Sequence, residues 1–335
     1  MALPLPLAVT MGEPAGIGGE IALRAWLECR DELPAFYLID DPDRLASLAR
    51  RLHWEVPIRP IDAPARAPAV FPNALPVAPI GTTIHAMPGR PHAADAPAIL
   101  GAIQIAVRDV RSGRAAALVT NPIHKESLYR AGFHHPGHTE YLAELAAADE
   151  VPIMMLVCPG LRVVPVTIHL ALRRAIESLS AAAIVNAGRI TERALRRDFG
   201  LAAPVLAVAG LNPHAGEAGS LGREEIEIIE PAVTELREAG IDARGPLPPD
   251  TMFHAEARRA YDAALCMYHD QALIPIKTID FHGGVNATLG LPFVRTSPDH
   301  GTAFTIAGQG IARPDSLIAA LRLAAEMAGR RSAGS

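Results

Sequence analysis

Short apolar runs recur along this chain, and each breaks into a polar or glycine-bearing turn before a helical pattern begins. Leu7 to Thr10 runs into Met11-Gly-Glu-Pro-Ala-Gly-Ile-Gly-Gly-Glu20 and then the helical spacing Ile21, Leu23, Trp26, Leu27. Phe36 to Ile39 is followed by Asp40-Asp41-Pro42, which supplies an N-cap and an N1 proline for a helix through Arg51. Ala116 to Thr120 ends in Asn121-Pro-Ile-His-Lys125, Val205 to Ala209 in Gly210-Leu-Asn-Pro-His-Ala-Gly-Glu217, and Leu265 to Tyr268 in His269. Strand, polar turn, helix, repeated in this way, predicts an α/β chain built on a sheet. Further helices are expected over Ala98 to Arg111, ended by Ser112-Gly113, over a segment capped by Ser180, and over Asp315 to Met327. The prolines from Pro57 to Pro79 mark an extended surface excursion with edge strands.

A chain of 335 residues suits one large or two linked α/β lobes. Charged residues make up 20% and the net charge is -5, so nothing points to nucleic acid; half of the residues are hydrophobic, which excludes disorder. Cys29, Cys158 and Cys266 are odd in number and form no CxxC pair, as expected of buried thiols in a reducing compartment. The N-terminal MALPLPLAVT has neither a basic region nor an A-x-A site, so no signal peptide is expected. The apolar stretch Val151 to Leu172 is broken by Pro152, Pro159, Gly160, Arg162 and Pro165, which predicts two short strands around a turn and no membrane span. The expected location is the cytoplasm.

Three strands deliver a histidine just past their end: His169, His214 and His269. One such histidine is more often a structural residue. Three in the same context, on loops that converge at one edge of an α/β sheet, read as an open metal site. Imidazole donors favour Zn, Co or a similar ion over Mg, and the absence of H-E-x-x-H excludes the helical zinc-protease arrangement. The stretch Leu265 to Phe304 reads as a polar loop facing an anion, with Lys277, Asn286 and Arg295 suited to a phosphate or carboxylate. GEPAGIGGE reads either as an anion cradle at a helix N-terminus or as a tight strand-to-helix turn. Gly132-Phe-His-His-Pro-Gly-His-Thr-Glu140 resembles a site loop, although His134 and His135 are also ordinary for a surface. Arg189, Arg193, Arg196 and Arg197 read as a solvated helix face.

The motifs MGEPAGIG, TNPIHK, PGHTE, LNPHAGE, GPLPPDT, MYHDQ and GVNATLGLPFVRTSPDHGTA, in order over nearly the whole chain, resemble the 4-hydroxythreonine-4-phosphate dehydrogenase family of pyridoxal phosphate synthesis. The resemblance implies NAD- or NADP-linked oxidation of 4-phosphohydroxy-L-threonine to 2-amino-3-oxo-4-phosphooxybutanoate. That product loses carbon dioxide to give 3-amino-2-oxopropyl phosphate on the way to pyridoxine 5'-phosphate. It implies one divalent metal (Zn, Co or Mg) on His169, His214 and His269, and substrate on His138, Thr139, Lys277, Asn286 and Arg295. Asp299 to Gly308 is similar to the adenosine-side loop of isocitrate and isopropylmalate dehydrogenases, which places the cofactor at His300, Gly301, Thr302 and Ala303. The implied fold is likewise isocitrate/isopropylmalate dehydrogenase-like: two α/β subdomains, residues 1–140 with 290–335 and residues 141–289, with the active site in the cleft between them. The family is homodimeric, with shared sites, and the second subdomain carries the metal ligands and the dimer interface. Asp250 and Asp270 are expected either beside the metal or the substrate amine, or as turn caps; the general base is unassigned.

Gly19 departs from the family's usual proline and Ala272 from its usual glycine, the latter a source of strain if that backbone needs a positive φ. A sister family acting on 4-phospho-D-threonate or D-erythronate shares nearly all these motifs. A metal-dependent hydrolase or aldolase, or a non-catalytic sensor of phosphorylated metabolites, would be the readings from other classes.

Overall fold

A computed structural model describes residues 4–130, 132–135, 137–148 and 150–333; Met1 to Leu3 of the N-terminal stretch and Pro136 of the PGHTE motif lie outside them. The strands are β1 (Leu7–Thr10), β2 (Phe36–Asp40), β3 (Ile58–Pro60), β4 (Leu75–Pro79), β5 (Leu118–Thr120) and β6 (Ile153–Cys158). They continue as β7 (Leu161–Pro165), β8 (Val205–Ala209), β9 (Asp242–Leu247), β10 (Ala263–Cys266), β11 (Val285–Leu289) and β12 (Arg295–Pro298). The helices are α1 (Gly18–Cys29), α2 (Pro42–Arg51), α3 (Ala67–Val70), α4 (Ala96–Arg111), α5 (Lys125–Arg130) and α6 (His138–Ala146). After them come α7 (Leu172–Ser178), α8 (Ala181–Arg197), α9 (Glu230–Glu238), α10 (His269–Ile279) and α11 (Asp315–Ala333).

Two compact units divide the chain: Met1–Pro152 with Leu291–Gly329, and Ile153–Gly290 with Arg330–Ser335. The boundary expected at residue 140 falls inside α6.

In the first unit the strand order is β3-β4-β2-β1-β5-β12, and the pairs are parallel. Every residue of β1 and β2 is buried, as expected of parallel strands covered on both faces. A core of Tyr37, Ile39, Ile99, Ile103, Leu118, Phe133 and Tyr141 joins α4 and α6 to the sheet. Asp41 caps α2 as expected, its carboxylate accepting from the Asp43 and Arg44 backbones at 2.9 and 3.3 Å. The proline-rich excursion carries the short β3 and the inner strand β4.

The second unit has the order β11-β6-β7-β10-β8-β9. β6 runs antiparallel to both β11 and β7, while β7, β10, β8 and β9 are mutually parallel. Its core contains Leu156, Val163, Ala207, Ala264, Cys266 and Ile276. Ser180 caps α8, accepting from the Ala183 backbone at 3.3 Å. All three cysteines are free; burial pushes the Cys158 thiol up to about 11 and the Cys266 thiol higher still, which keeps both inert. No helix among the described residues is long and apolar enough to cross a membrane.

One sequence expectation is corrected. Leu265 to Phe304 is not a loop. His269 opens α10, Lys277 sits in its last turn, Asn286 lies on β11 and Arg295 begins β12. Ala272 is buried inside α10 and has no positive φ, so its methyl strains nothing.

Candidate active site

In the second unit β7, β10 and β8 are adjacent and parallel, so their C-terminal ends share one edge of the sheet. His169 follows β7, His269 follows β10 and His214 follows β8. The rings of His169 and His269 lie 5.6 Å apart at 41°, in a cavity of about 190 Å³ shared with Thr167, Tyr268 and Asp270. Asp270 Oδ1 stands 2.7 Å from His269 Nδ1, which holds the ring and leaves Nε2 for a ligand. His214 does not close on this pair. Among the described residues, the three metal-capable side chains whose ligand atoms gather within 4.8 Å are instead His85, His92 and Asp95 of the first unit. Asp250 is exposed on the 3₁₀ turn Pro249–Thr251.

The loop that carries His214 is bent against its chirality. His214 to Ala218 all have positive φ, from 43° to 79°, although Gly216 is the one glycine among them. His169 (φ 51°) and Ala303 (φ 48°) share that conformation. A left-handed L-residue costs about 1–2 kcal/mol, and such outliers persist where surrounding structure over-determines them. Glu225, 1% exposed, anchors the residues that lead into this loop. Its Oε1 accepts from the Leu211 and Asn212 backbones, both at 2.7 Å, and its Oε2 from Asn212 Nδ2 at 2.9 Å. A Cβ on Gly216 would meet Glu225 Oε2 at 2.7 Å, so glycine is required there by space as well as by φ.

Gln271 ties two of the histidine loops together. Its Oε1 accepts from the Met267 backbone at 2.6 Å, beyond β10, and its Nε2 donates to the Gly210 carbonyl at 2.7 Å, beyond β8. Asn286, on β11 opposite Leu156, has a buried Oδ1 with no hydrogen-bond partner. Lys277 places Nζ 5.4 Å from the centre of the exposed Phe281 ring.

The first unit holds a cationic pole. Arg295, 4% exposed, donates from Nε and Nη2 to Thr120 Oγ1 at 3.1 and 2.6 Å. Burial lowers its pKa to about 10, so at neutral pH a full positive charge is held out of water. His138 and Thr139 open α6, whose free N–H groups favour an anion. Burial, then the charges of Arg295 and Lys125, hold His138 well below the ordinary histidine range, so the ring is neutral. Its Nε2 is buried and has no partner. A neutral hydrogen-bonding ring, a buried guanidinium, a lysine and a helix N-terminus together suit a phosphate or carboxylate.

Beside it, the segment expected to hold the cofactor is clasped to the glycine turn. The Thr302 carbonyl accepts from the Ile17 backbone at 3.0 Å, and buried Glu20 accepts from the Gly308 and Ala312 backbones at 2.7 and 3.2 Å. His300 Nδ1 lies 3.0 Å from the Gly301 carbonyl. The Ile17 and Gly16 N–H groups are spent on the Thr302 and Glu13 carbonyls, so this part of GEPAGIGGE clasps the chain to itself.

The site expectations omitted Glu225, Gln271 and Lys125. The motifs TNPIHK and MYHDQ contained two of them, but Glu225 acts across a loop and carries no local signature.

The family model for pyridoxal phosphate biosynthetic protein PdxA matches residues 32–324. A 4-hydroxythreonine-4-phosphate dehydrogenase of Bradyrhizobium diazoefficiens is 58% identical, with 98% of each chain covered. One of Caulobacter vibrioides is 55% identical over 97% of this chain and 98% of that one. The crystal structure of 4-hydroxythreonine-4-phosphate dehydrogenase from Klebsiella pneumoniae superposes with a TM-score of 0.87 at 38% identity, covering 97% of this chain and 100% of that one. The mixed α/β fold, the ordered motifs and these likenesses converge: the chain belongs to the pyridoxal phosphate biosynthetic protein PdxA family.

Proposed function

We propose that this protein is an NAD(P)-dependent 4-hydroxythreonine-4-phosphate dehydrogenase, oxidising 4-phosphohydroxy-L-threonine in pyridoxine 5'-phosphate biosynthesis. The observation that carries the reading is the pole formed by Arg295, Lys125, neutral His138 and the α6 N-terminus, which suits a phosphorylated acid.

The phosphate is held by Lys277 and Arg295, with His138 Nε2, Thr139 and Asn286 directing the substrate by hydrogen bonds. Arg295 is fixed in advance by Thr120, so little side-chain freedom is lost on binding. His169, His214 and His269 are the donors for one divalent ion (Zn, Co or Mg), and Asp270 orients His269. Three imidazoles, two of them already facing one cavity, fit such an ion. When bound, it would supply Lewis-acid polarisation of the reacting hydroxyl and of the carbonyl formed. NAD or NADP, held at His300, Gly301, Thr302 and Ala303, would take up the hydride. That His214 stands off from the His169–His269 pair in a single chain supports a homodimer in which two subunits complete each metal site. The proposed location is the cytoplasm.

The test follows NADH absorbance with 4-phosphohydroxy-L-threonine and, separately, 4-phosphothreonate, with and without chelator. Turnover of the first, abolished by chelator and by His214→Ala, is the expected result. Preference for the threonate would move the protein to the sister activity, and full activity in metal-free buffer would remove the metal assignment.

A further inference from the structure

We propose a second divalent-cation site, formed by His85, His92 and Asp95 in the first unit and separate from the three histidines above. Their ligand atoms lie within 4.8 Å of one another. The two histidines stand at either end of the loop Ala86 to Pro91 between β4 and α4, and His92 caps the 3₁₀ turn that leads into α4.

Asp95 builds the frame. Its side chain is wholly buried, and it accepts from the His85 backbone at 2.9 Å and the Ala86 backbone at 2.7 Å. His85 Nδ1 is hydrogen-bonded to Asp95 Oδ1 at 3.1 Å. A cation would replace that bond with little movement, since the ligand–ligand edge of a tetrahedral site with bonds of ~2.0–2.1 Å is about 3.3 Å. His92 Nδ1 accepts from the Ala94 backbone at 3.3 Å, which leaves Nε2 as the donor to a cation. The imidazoles stack 5.1 Å apart at 28°, and both are exposed, so water can complete the coordination.

A second observation points the same way. Arg44 is the cation within electrostatic reach of Asp40, Asp41, Asp95 and Glu13. Glu13 is 2% exposed, and its Oε2 has no hydrogen-bond partner. Burial first, and to a lesser degree the charge of Asp95, push its carboxyl up, while the Ala15 backbone bond and Arg44 act the other way. A cation held by the imidazoles would offset the charge of Asp95. Two imidazoles and one carboxylate select a borderline transition ion such as Zn, Ni or Cu over Mg or Ca.

The site's position indicates its role. Between the two histidines, the Gly89 backbone donates to the Ala15 carbonyl at 2.8 Å, and Pro88 lies against Gly308, where an added Cβ would meet it at 2.6 Å. A bound cation closes this loop into a ring and stiffens its contact with the glycine turn and with the segment that continues from His300–Ala303. It is a structural clamp and performs no chemistry.

The test is equilibrium dialysis of the chelator-stripped, full-length protein against Zn²⁺ alone, with elemental analysis. It compares wild type, His92→Ala and the double variant His85→Ala/His92→Ala. Wild type should hold one more Zn²⁺ per chain than the double variant, and His92→Ala should weaken that equivalent at least tenfold. His214→Ala should leave it in place, which separates this site from the catalytic one. In Cu²⁺-loaded protein, the part of the copper signal lost between wild type and double variant should carry nitrogen hyperfine structure from two imidazoles, while the circular dichroism is unchanged. Equal stoichiometry and affinity in wild type and double variant would overturn the proposal.

Discussion

Replacing Glu225 by alanine tests how the His214 loop is held. The carboxylate accepts three hydrogen bonds, two from backbone N–H groups and one from Asn212 Nδ2. Bonds to a charged acceptor contribute about 1.5–3 kcal/mol each when fully buried. Leu211 and Asn212 are only half-buried, so water recovers part of this, and about 3–5 kcal/mol is the expected loss. Against it stand four non-glycine residues at positive φ, His214, Ala215, Glu217 and Ala218, whose conformation costs about 4–8 kcal/mol in sum. Once the carboxylate is gone, that strain is released by opening the loop, and unfolding of the whole unit is not required. The expected result is therefore local. Amide exchange in a peptide spanning residues 211–222 should rise roughly 10²–10³-fold, at 1.4 kcal/mol per decade, while β8 and α8 keep their protection. Glu224→Ala is the control, because Glu224 is half-buried and accepts from Asn212 Nδ2 and the Arg223 backbone at 2.7 and 3.0 Å; its effect should stay near or below about 1 kcal/mol. Unchanged exchange in Glu225→Ala, or cooperative loss of the whole unit, would refute the reasoning.

Gln271→Leu removes two buried bonds and should lower stability by about 2–4 kcal/mol in urea unfolding, with amide exchange rising at Met267, whose N–H loses its acceptor. Arg295→Met should weaken binding of the phosphorylated substrate about 10–100-fold by calorimetry. Stability should stay nearly constant, because the buried guanidinium is costly in the free protein. His138 titrates below its unfolded value, so the unfolded chain binds the extra proton first as pH falls. Its contribution is complete above the ordinary histidine pKa and declines below it, by up to about 1.4 kcal/mol per pH unit. His138→Asn should thus show a shallower loss of stability between pH 7 and pH 5 than wild type in denaturant titrations, and equal slopes would contradict the neutral, buried ring.

The strands were legible because each is short, apolar and bounded by strong punctuation. Leu7–Thr10, Phe36–Asp40 and Val205–Ala209 emerge within a residue of their expected ends. The caps at Asp41 and Ser180 were legible because capping is a local interaction. α10 was not. It begins on His269-Asp270 and contains Pro275, and both features argue for a loop until Ala272 and Ile276 are seen packed in the core. The handedness of His214 to Ala218 was invisible for a related reason: alanine and glutamate have no intrinsic preference for it, and the loop's anchor, Glu225 on Leu211 and Asn212, comes from later in the chain. The three histidines were legible as a set of strand ends. The standing-off of His214 depends on loop geometry that no spacing encodes.

The first unit's discontinuity sets an order of events on the ribosome. β5 pairs with β12 through Leu118 opposite Arg295 and Val119 opposite Thr296, yet residues 153–290 separate Pro152 from Leu291. At about 5–20 residues per second, the nascent N-terminal segment waits on the order of 10–30 s before β12 and α11 can dock. During that wait the backbone of Leu118 to Thr120 lacks its β12 partner, an unpaired edge of the kind that invites wrong pairings. Arg295, the buried charge on which substrate capture is proposed to turn, arrives with the strand that ends this exposure. Completion of the sheet and acquisition of the anion site are thus one step in biosynthesis, so a chain stalled before residue 295 is deprived of both together.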